Sequence, residues 1–112
     1  MSTIRNQVQL IGNLGKKPEI KIFGEDKKMA IFSIATSDYY YDAKGERQQQ
    51  TQWHNVVAWG KTAQLAESYL DKGVEVALLG KIVYRQYDDK EGSKKYITEV
   101  VANEILLLNK KN

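Results

Sequence analysis

Residues 60–73 read GKTAQLAESYLDKG. This is the one stretch of the chain with helical periodicity: Leu65, Ala66, Tyr69 and Leu70 fall at i, i+1, i+4 and i+5 and form a single stripe. Thr62 is the expected N-cap, and Gly73 sits where a left-handed C′ residue would end the helix. Outside this stretch the pattern has strand character. Val56–Trp59 and Met29–Thr36 (MAIFSIAT) are β-prone apolar runs upstream of it, and Val74–Leu79 (VEVALL) is another just downstream.

Further out, Gln7–Ile11 and Glu19–Ile22 alternate polar with apolar, separated by Gly12, Gly15 and Pro18, and Gly24-Glu25-Asp26 turns the chain after the second. A last strand runs from Tyr96 to Leu108. Two polar stretches, Tyr39–Gln52 (YYYDAKGERQQQTQ) and Asp88–Lys95 (DDKEGSKK), carry turn signals at Gly45 and Gly92 and are expected as hairpin tips. The four upstream stretches, taken as three strand regions, with one short helix and two more strands, predict an all-β OB-fold. That is a five-stranded Greek-key barrel, here with one short helix between the third and fourth strands, and it offers one face to oligonucleotides or oligosaccharides. Another small barrel or a β-sandwich satisfies the same periodicity.

At 112 residues the chain supports one domain, expected to span 1–112. The absence of Cys excludes disulfides, thiolate metal sites and thiol nucleophiles, and one His excludes any site built on two imidazoles. No segment reaches the ~18 apolar residues of a membrane span, and the N-terminus shows no signal or transit pattern. The expected compartment is therefore the cytoplasm. With 17 Lys and Arg against 14 Asp and Glu, the net charge of +3 points only weakly to an anionic partner. The cations are spread along the chain with no block of five, as suits a broad, mildly positive surface.

Little in the sequence suggests catalysis. His54 follows Trp53 in a strand pattern without a Ser or Asp partner at a telling spacing, so a structural or interface role is expected of it. Asp88-Asp89 with Glu91 lie in a solvated turn, and no metal site is expected there. Gly12-Asn13-Leu14-Gly15 lacks both the Gly-Lys-Ser/Thr ending and the following helix of a phosphate loop. The expectation is a non-enzyme with no cofactor.

The aromatic residues say more. Trp53 lies between Gln52 and His54, Trp59 precedes Gly60-Lys61, Tyr39-Tyr40-Tyr41 opens a polar stretch, and Tyr84 and Tyr87 flank Arg85. Taken singly, each fits a sheet core or a surface equally well. Clustered beside basic residues, they have the makings of a base-stacking platform: ring faces accept any base and cations neutralise phosphates, at ~1–3 kcal/mol per stacked base.

Several motifs resemble those of the bacterial single-stranded DNA-binding protein family. They are Asn6-Gln7-Val8-Gln9-Leu10-Ile11-Gly12-Asn13-Leu14-Gly15 with Pro18-Glu19; Ala35-Thr36-Ser37; Thr51-Gln52-Trp53-His54-Asn55-Val56-Val57; Gly60-Lys61, Ala66, Tyr69-Leu70 and Lys72-Gly73; and Tyr96-Ile97-Thr98-Glu99-Val100-Val101. They cover nearly the whole chain in the family's order. The resemblance implies an OB-fold subunit of a homotetramer that wraps single-stranded DNA without sequence preference in replication, recombination and repair, associated with the bacterial nucleoid. It places base stacking on Tyr40, Trp53, Trp59 and Tyr87, where better-studied members often carry Trp at the first and last positions and Phe at the third. It places Lys61, Lys72 and Arg85 near phosphates and His54 at a subunit interface, while Asn55 replaces a basic residue. Family members usually continue into a Gly/Pro/Gln-rich linker and an acidic tip. This chain stops at Asn109-Lys110-Lys111-Asn112, so recruitment of replication and repair proteins through a tail is not expected of it.

Two other functions compete. A tail-less accessory protein would bridge replication proteins, and its DNA affinity would survive loss of Trp53 and Trp59 better. An OB-fold enzyme or sugar-binding module would need convergent polar side chains in a pocket, and a nuclease would show activity that tracks one carboxylate.

Overall fold

Thirteen consecutive residue pairs, from Met29↔Trp59 to Tyr41↔Arg47, zip β3 (Lys27–Tyr41) to β4 (Arg47–Trp59). This ladder, with an equally long one between β5 (Glu75–Asp88) and β6 (Lys94–Leu107), builds most of the molecule. The computed structural model describes residues 4–25 and 27–108. Two shorter strands, β1 (Val8–Leu14) and β2 (Glu19–Phe23), precede β3, and helix α1 (Gly60–Tyr69) joins β4 to β5. The sheet order is β1-β5-β6-β4-β3-β2.

β1 closes the sheet on itself. Val8–Asn13 pair with β5, while Asn13 and Leu14 also pair with Ala35 and Ile34 of β3. That crossing requires a very close backbone approach at Gly12, where a Cβ would fall 2.2 Å from the Ala35 carbonyl oxygen. The five strands β1, β3, β4, β6 and β5 thus form a closed barrel, and β2 is a sixth strand hydrogen-bonded to β3 alone. Counted along the barrel, α1 lies between the third and fourth strands. Antiparallel neighbours with a single parallel pairing, β4 to β6 over Val56–Ala58, complete the OB-fold expected from the sequence.

Alternation decides what the barrel encloses. Ala30, Phe32 and Ile34 of β3, Val56 and Ala58 of β4, Val76 and Leu78 of β5, and Val100 and Ala102 of β6 all point inward and are buried. Helix α1 plugs the barrel with Ala63 and Ala66, small enough to let its backbone approach the sheet. Lys28 of β3 ties it down by donating to Gln64 Oε1 (2.6 Å) and to the Glu67 carboxylate. Among the described residues the core holds no buried polar or charged side chain.

Several local expectations need correction. Thr62 is not the N-cap: the helix starts at Gly60 after an extended Trp59, without a side-chain cap bond. Gly73 does adopt φ +84°, but it lies four residues beyond the last helical residue, and its N–H donates to Leu14 O (2.9 Å) instead of closing the helix. Tyr69 faces solvent, and the buried stripe is Ala63, Ala66 and Leu70. The polar stretches 39–52 and 88–95 do end in hairpin turns, but the turns occupy only 42–46 and 89–93 and the rest is strand. A further 3-10 turn, Ile4–Asn6, was not foreseen. There Asn6 Nδ2 donates to Ile82 O (3.0 Å) and Ile82 N–H donates to Asn6 Oδ1 (3.1 Å), extending the edge of β5 by a side chain. The sequence ends, including Asn109–Asn112, and Asp26 of the first turn lie outside the described residues.

Candidate nucleic-acid interface

β4 and β6 run parallel but pair only at Val56–Ala58 with Val100–Ala102. Toward their N-terminal ends both strands leave the barrel, β4 with β3 and β6 with β5, as two hairpin arms that project from the same end of the molecule. The arms have no core behind either face, so their side chains are exposed on both sides.

Pleating then sorts the aromatic residues. Val56 and Ala58 point inward, so Trp53 and Trp59 point outward, and they are 60 % and 46 % exposed. On β5, Leu78 and Ile82 share the inward parity, which puts Arg85 and Tyr87 on the outer face. Trp53, Trp59, Arg85 and Tyr87 are therefore brought to one outer surface running across β4, β6 and β5. Tyr40, paired with Gln48, takes the opposite face of its arm. Its neighbours Tyr39 and Tyr41 share the face of Trp53, with the Arg47 guanidinium stacked 3.9 Å over the Tyr39 ring.

Trp53 is held from below. A Cβ on Gly15 would come within 2.7 Å of the indole, so the ring lies against the bare backbone of that residue. The next residue back, Leu14, accepts from the Gly73 N–H, and Asn13 Nδ2 donates to Gly73 O (3.1 Å). These bonds bring Lys72, adjacent to Gly73, to the neighbourhood of Trp53. Lys61 lies in the first turn of α1, two residues after Trp59. Arg85 is already engaged: its Nε and Nη2 donate to the two Glu99 carboxylate oxygens at 3.0 and 3.1 Å, and these bonds with the carboxylate's charge hold the guanidinium pKa above its usual value. His54 points to the inner side of β4, its Nε2 2.9 Å from Thr36 Oγ1.

Among the described residues no three His, Asp or Glu side chains gather in a geometry that could hold a metal ion. Phe23 was missed in the sequence, although its ring lies 6.1 Å from that of Trp59. The signal was there: it breaks the alternation of Glu19–Phe23 by putting an apolar residue on the face of Lys21. Tyr96, exposed beside Lys94 and Lys95, was seen only as the start of a strand.

Comparison with known proteins gives a single answer. The single-strand binding protein family matches residues 5–108. A single-stranded DNA-binding protein of Chlorobaculum tepidum is 41 % identical over 108 residues, 96 % of this chain and 67 % of that protein. One from Neisseria meningitidis is 39 % identical over 107 residues, 96 % of this chain and 62 % of its own length. The chain thus spans about two thirds of the curated relatives it matches. Among solved structures, the Plasmodium falciparum SSB in complex with ssDNA superposes with TM-score 0.86 at 31 % identity, covering 97 % of this chain and 99 % of that one. A deletion mutant of the Thermus aquaticus single-stranded DNA-binding protein gives 0.80 at 30 % identity, over 93 % and 50 %. Matched along nearly its full length by sequence and by fold, the chain belongs to the single-strand binding protein family.

Proposed function

We propose that this chain binds single-stranded DNA without sequence preference, protecting exposed strands and removing hairpins in replication, recombination and repair. One observation carries the reading: Trp53, Trp59 and Tyr87 lie half-exposed on one outer surface spread over barrel and arms, with cations close in the chain. Bases stack on these rings, and a strand reaching Tyr40 passes round the edge of the β3–β4 arm. Lys61 and Lys72 neutralise phosphates, and Arg85 does so by exchanging Glu99 for a phosphate oxygen. Binding is an equilibrium without a chemical step, so the protein works as a non-enzyme. Among the described residues no helix is long and apolar enough to cross a membrane, and we place the protein in the bacterial cytoplasm with the nucleoid.

The test is the anisotropy of labelled oligo(dT). Trp53→Ala should weaken binding roughly 5- to 150-fold, the equivalent of ~1–3 kcal/mol for one lost stack, and leave the salt dependence unchanged. Lys61→Gln should instead flatten the slope of log K against log salt by about 0.7. Affinity for oligo(dT) that survives the loss of both tryptophans would transfer the support to a protein-bridging role.

A homotetramer belongs to the same proposal. Ile11, Ala77 and Leu106 are direct cross-strand partners on the outer face of β1, β5 and β6, and Ile11 and Leu106 are 48 % and 61 % exposed. Such an apolar row suits burial against another copy. The family resemblance supplies the number four and the interface role of His54. Sedimentation velocity should give four times the chain mass at micromolar concentration; a monomer there would remove this part of the reading.

A further inference from the structure

Phe23 ends β2 at the edge of the sheet, and nothing in the site described above uses it. Its register partner is Lys27, so both project from the outer face, as do Lys21 and its partner Met29. Met29 pairs in turn with Trp59, which puts the indole on the same face one strand further on. The Phe23 and Trp59 rings are 6.1 Å apart between centroids and tilted by 33°. Each remains 46 % exposed. Beside Phe23 the surface forms a shallow, open depression bordered by Phe23, Gly24, Glu25 and Lys27.

The contact with Trp59 covers only part of the Phe23 ring and leaves the rest open to a planar partner. The ring sits at the end of β2, with an open depression on one side and a second half-exposed ring on the other. A half-exposed aromatic face beside a lysine suits a nucleobase and its phosphate, whatever the base. The spacing of the two rings is close to one nucleotide step of an extended strand.

We propose that Phe23 at the end of β2 and Lys27 at the start of β3 form an additional nucleotide subsite. Phe23 stacks the base next to the one on Trp59, and Lys27 neutralises the phosphate between them. Glu25, on the rim of the same depression, repels the backbone and holds it to the Lys27 side. The subsite rests on the single-stranded DNA reading above and lengthens the track past Trp59 by one position.

The experiment measures oligo(dT) affinity for Phe23→Leu, Phe23→Trp and Lys27→Gln, with Trp53→Ala in parallel. Leu keeps an apolar side chain against Trp59 but cannot stack. Phe23→Leu is expected to lose roughly 5- to 150-fold, and Phe23→Trp to restore binding and add a fluorophore that oligo(dT) quenches. Lys27→Gln is expected to lower the salt slope by about 0.7. Wild-type affinity in Phe23→Leu, with Trp53→Ala impaired, would overturn the subsite and leave the function standing. No binding of oligo(dT) by the unsubstituted chain would instead be the failure of the single-strand reading itself. Circular dichroism spectra matching the unsubstituted chain establish that the variants fold.

Discussion

At the scale of single residues, two glycines of one strand region do different jobs. Gly12 lets β1 cross β3, and the Cβ of an alanine would meet a carbonyl oxygen that cannot move without opening the barrel. Gly12→Ala should therefore cost about 1–3 kcal/mol or more in denaturant unfolding, the range of overpacked cores. Gly15 instead underlies the exposed indole of Trp53, which can swing away. Gly15→Ala should leave stability nearly unchanged and weaken oligo(dT) binding, because the ring is displaced from its stacking position. The reverse pattern in either variant would contradict these assignments. Both glycines stood out in the sequence as breaks between two alternating stretches. Their distinct roles did not, because they depend on Ala35 and Trp53, which are remote in the chain and close only once the barrel closes.

At the scale of elements, the two arms end in the same device. Asp42 begins one turn and Asp89 the other, each followed three residues later by a glycine with positive φ, Gly45 and Gly92. In the first, Asp42 Oδ1 accepts from the N–H groups of Lys44 and Glu46 at 2.9 Å, and Oδ2 from Gln48 Nε2 at 3.1 Å. In the second, Asp89 Oδ1 accepts from Glu91 and Ser93 N–H, also at 2.9 Å. Such Asx turns set the hairpin register. The Glu46 backbone bond, ahead of those from Lys44 and Gln48, holds the Asp42 pKa below its usual value. A depressed folded pKa gives stability that is present above the unfolded value of about 3.9 and is lost as pH falls through the folded one. Protection of the Lys44 and Glu46 amides, measured as the exchange rate relative to the intrinsic rate at each pH, should accordingly fall in acid, and Asp42→Asn should remove that pH dependence. A protection factor that is flat with pH in the unsubstituted chain would refute it. The turn signals at Gly45 and Gly92 were legible in the sequence, but the arms were not. With polar residues on both faces, Tyr39–Tyr41 and Arg47–Gln52 carry no alternation, and long-range pairing alone makes them strand. The barrel strands, whose inner faces are apolar, were readable for the opposite reason.

At the scale of the whole molecule, the radius of gyration is 16.1 Å, against about 13 Å for a compact domain of this length. The arms account for the excess, and they leave the barrel at the end where β4 and β6 part. The candidate site is thus a surface spread over barrel and arms, not a pocket. The sequence and the family resemblance together had already singled out its aromatic and basic candidates apart from Phe23. Neither could tell that Tyr40 faces away from Trp53, that Arg85 is held by Glu99, or that Phe23 reaches Trp59, because each depends on register. Trp53 and Trp59 are the only tryptophans of the chain, and both lie on that surface. The most direct test of the account is a titration of their fluorescence with oligo(dT) and with duplex DNA, at low and high salt. Strong quenching by oligo(dT), little by duplex and only partial reversal by salt is the predicted result. No quenching, or an equal response to both ligands that salt fully reverses, would contradict it and reduce the surface to a mildly basic face.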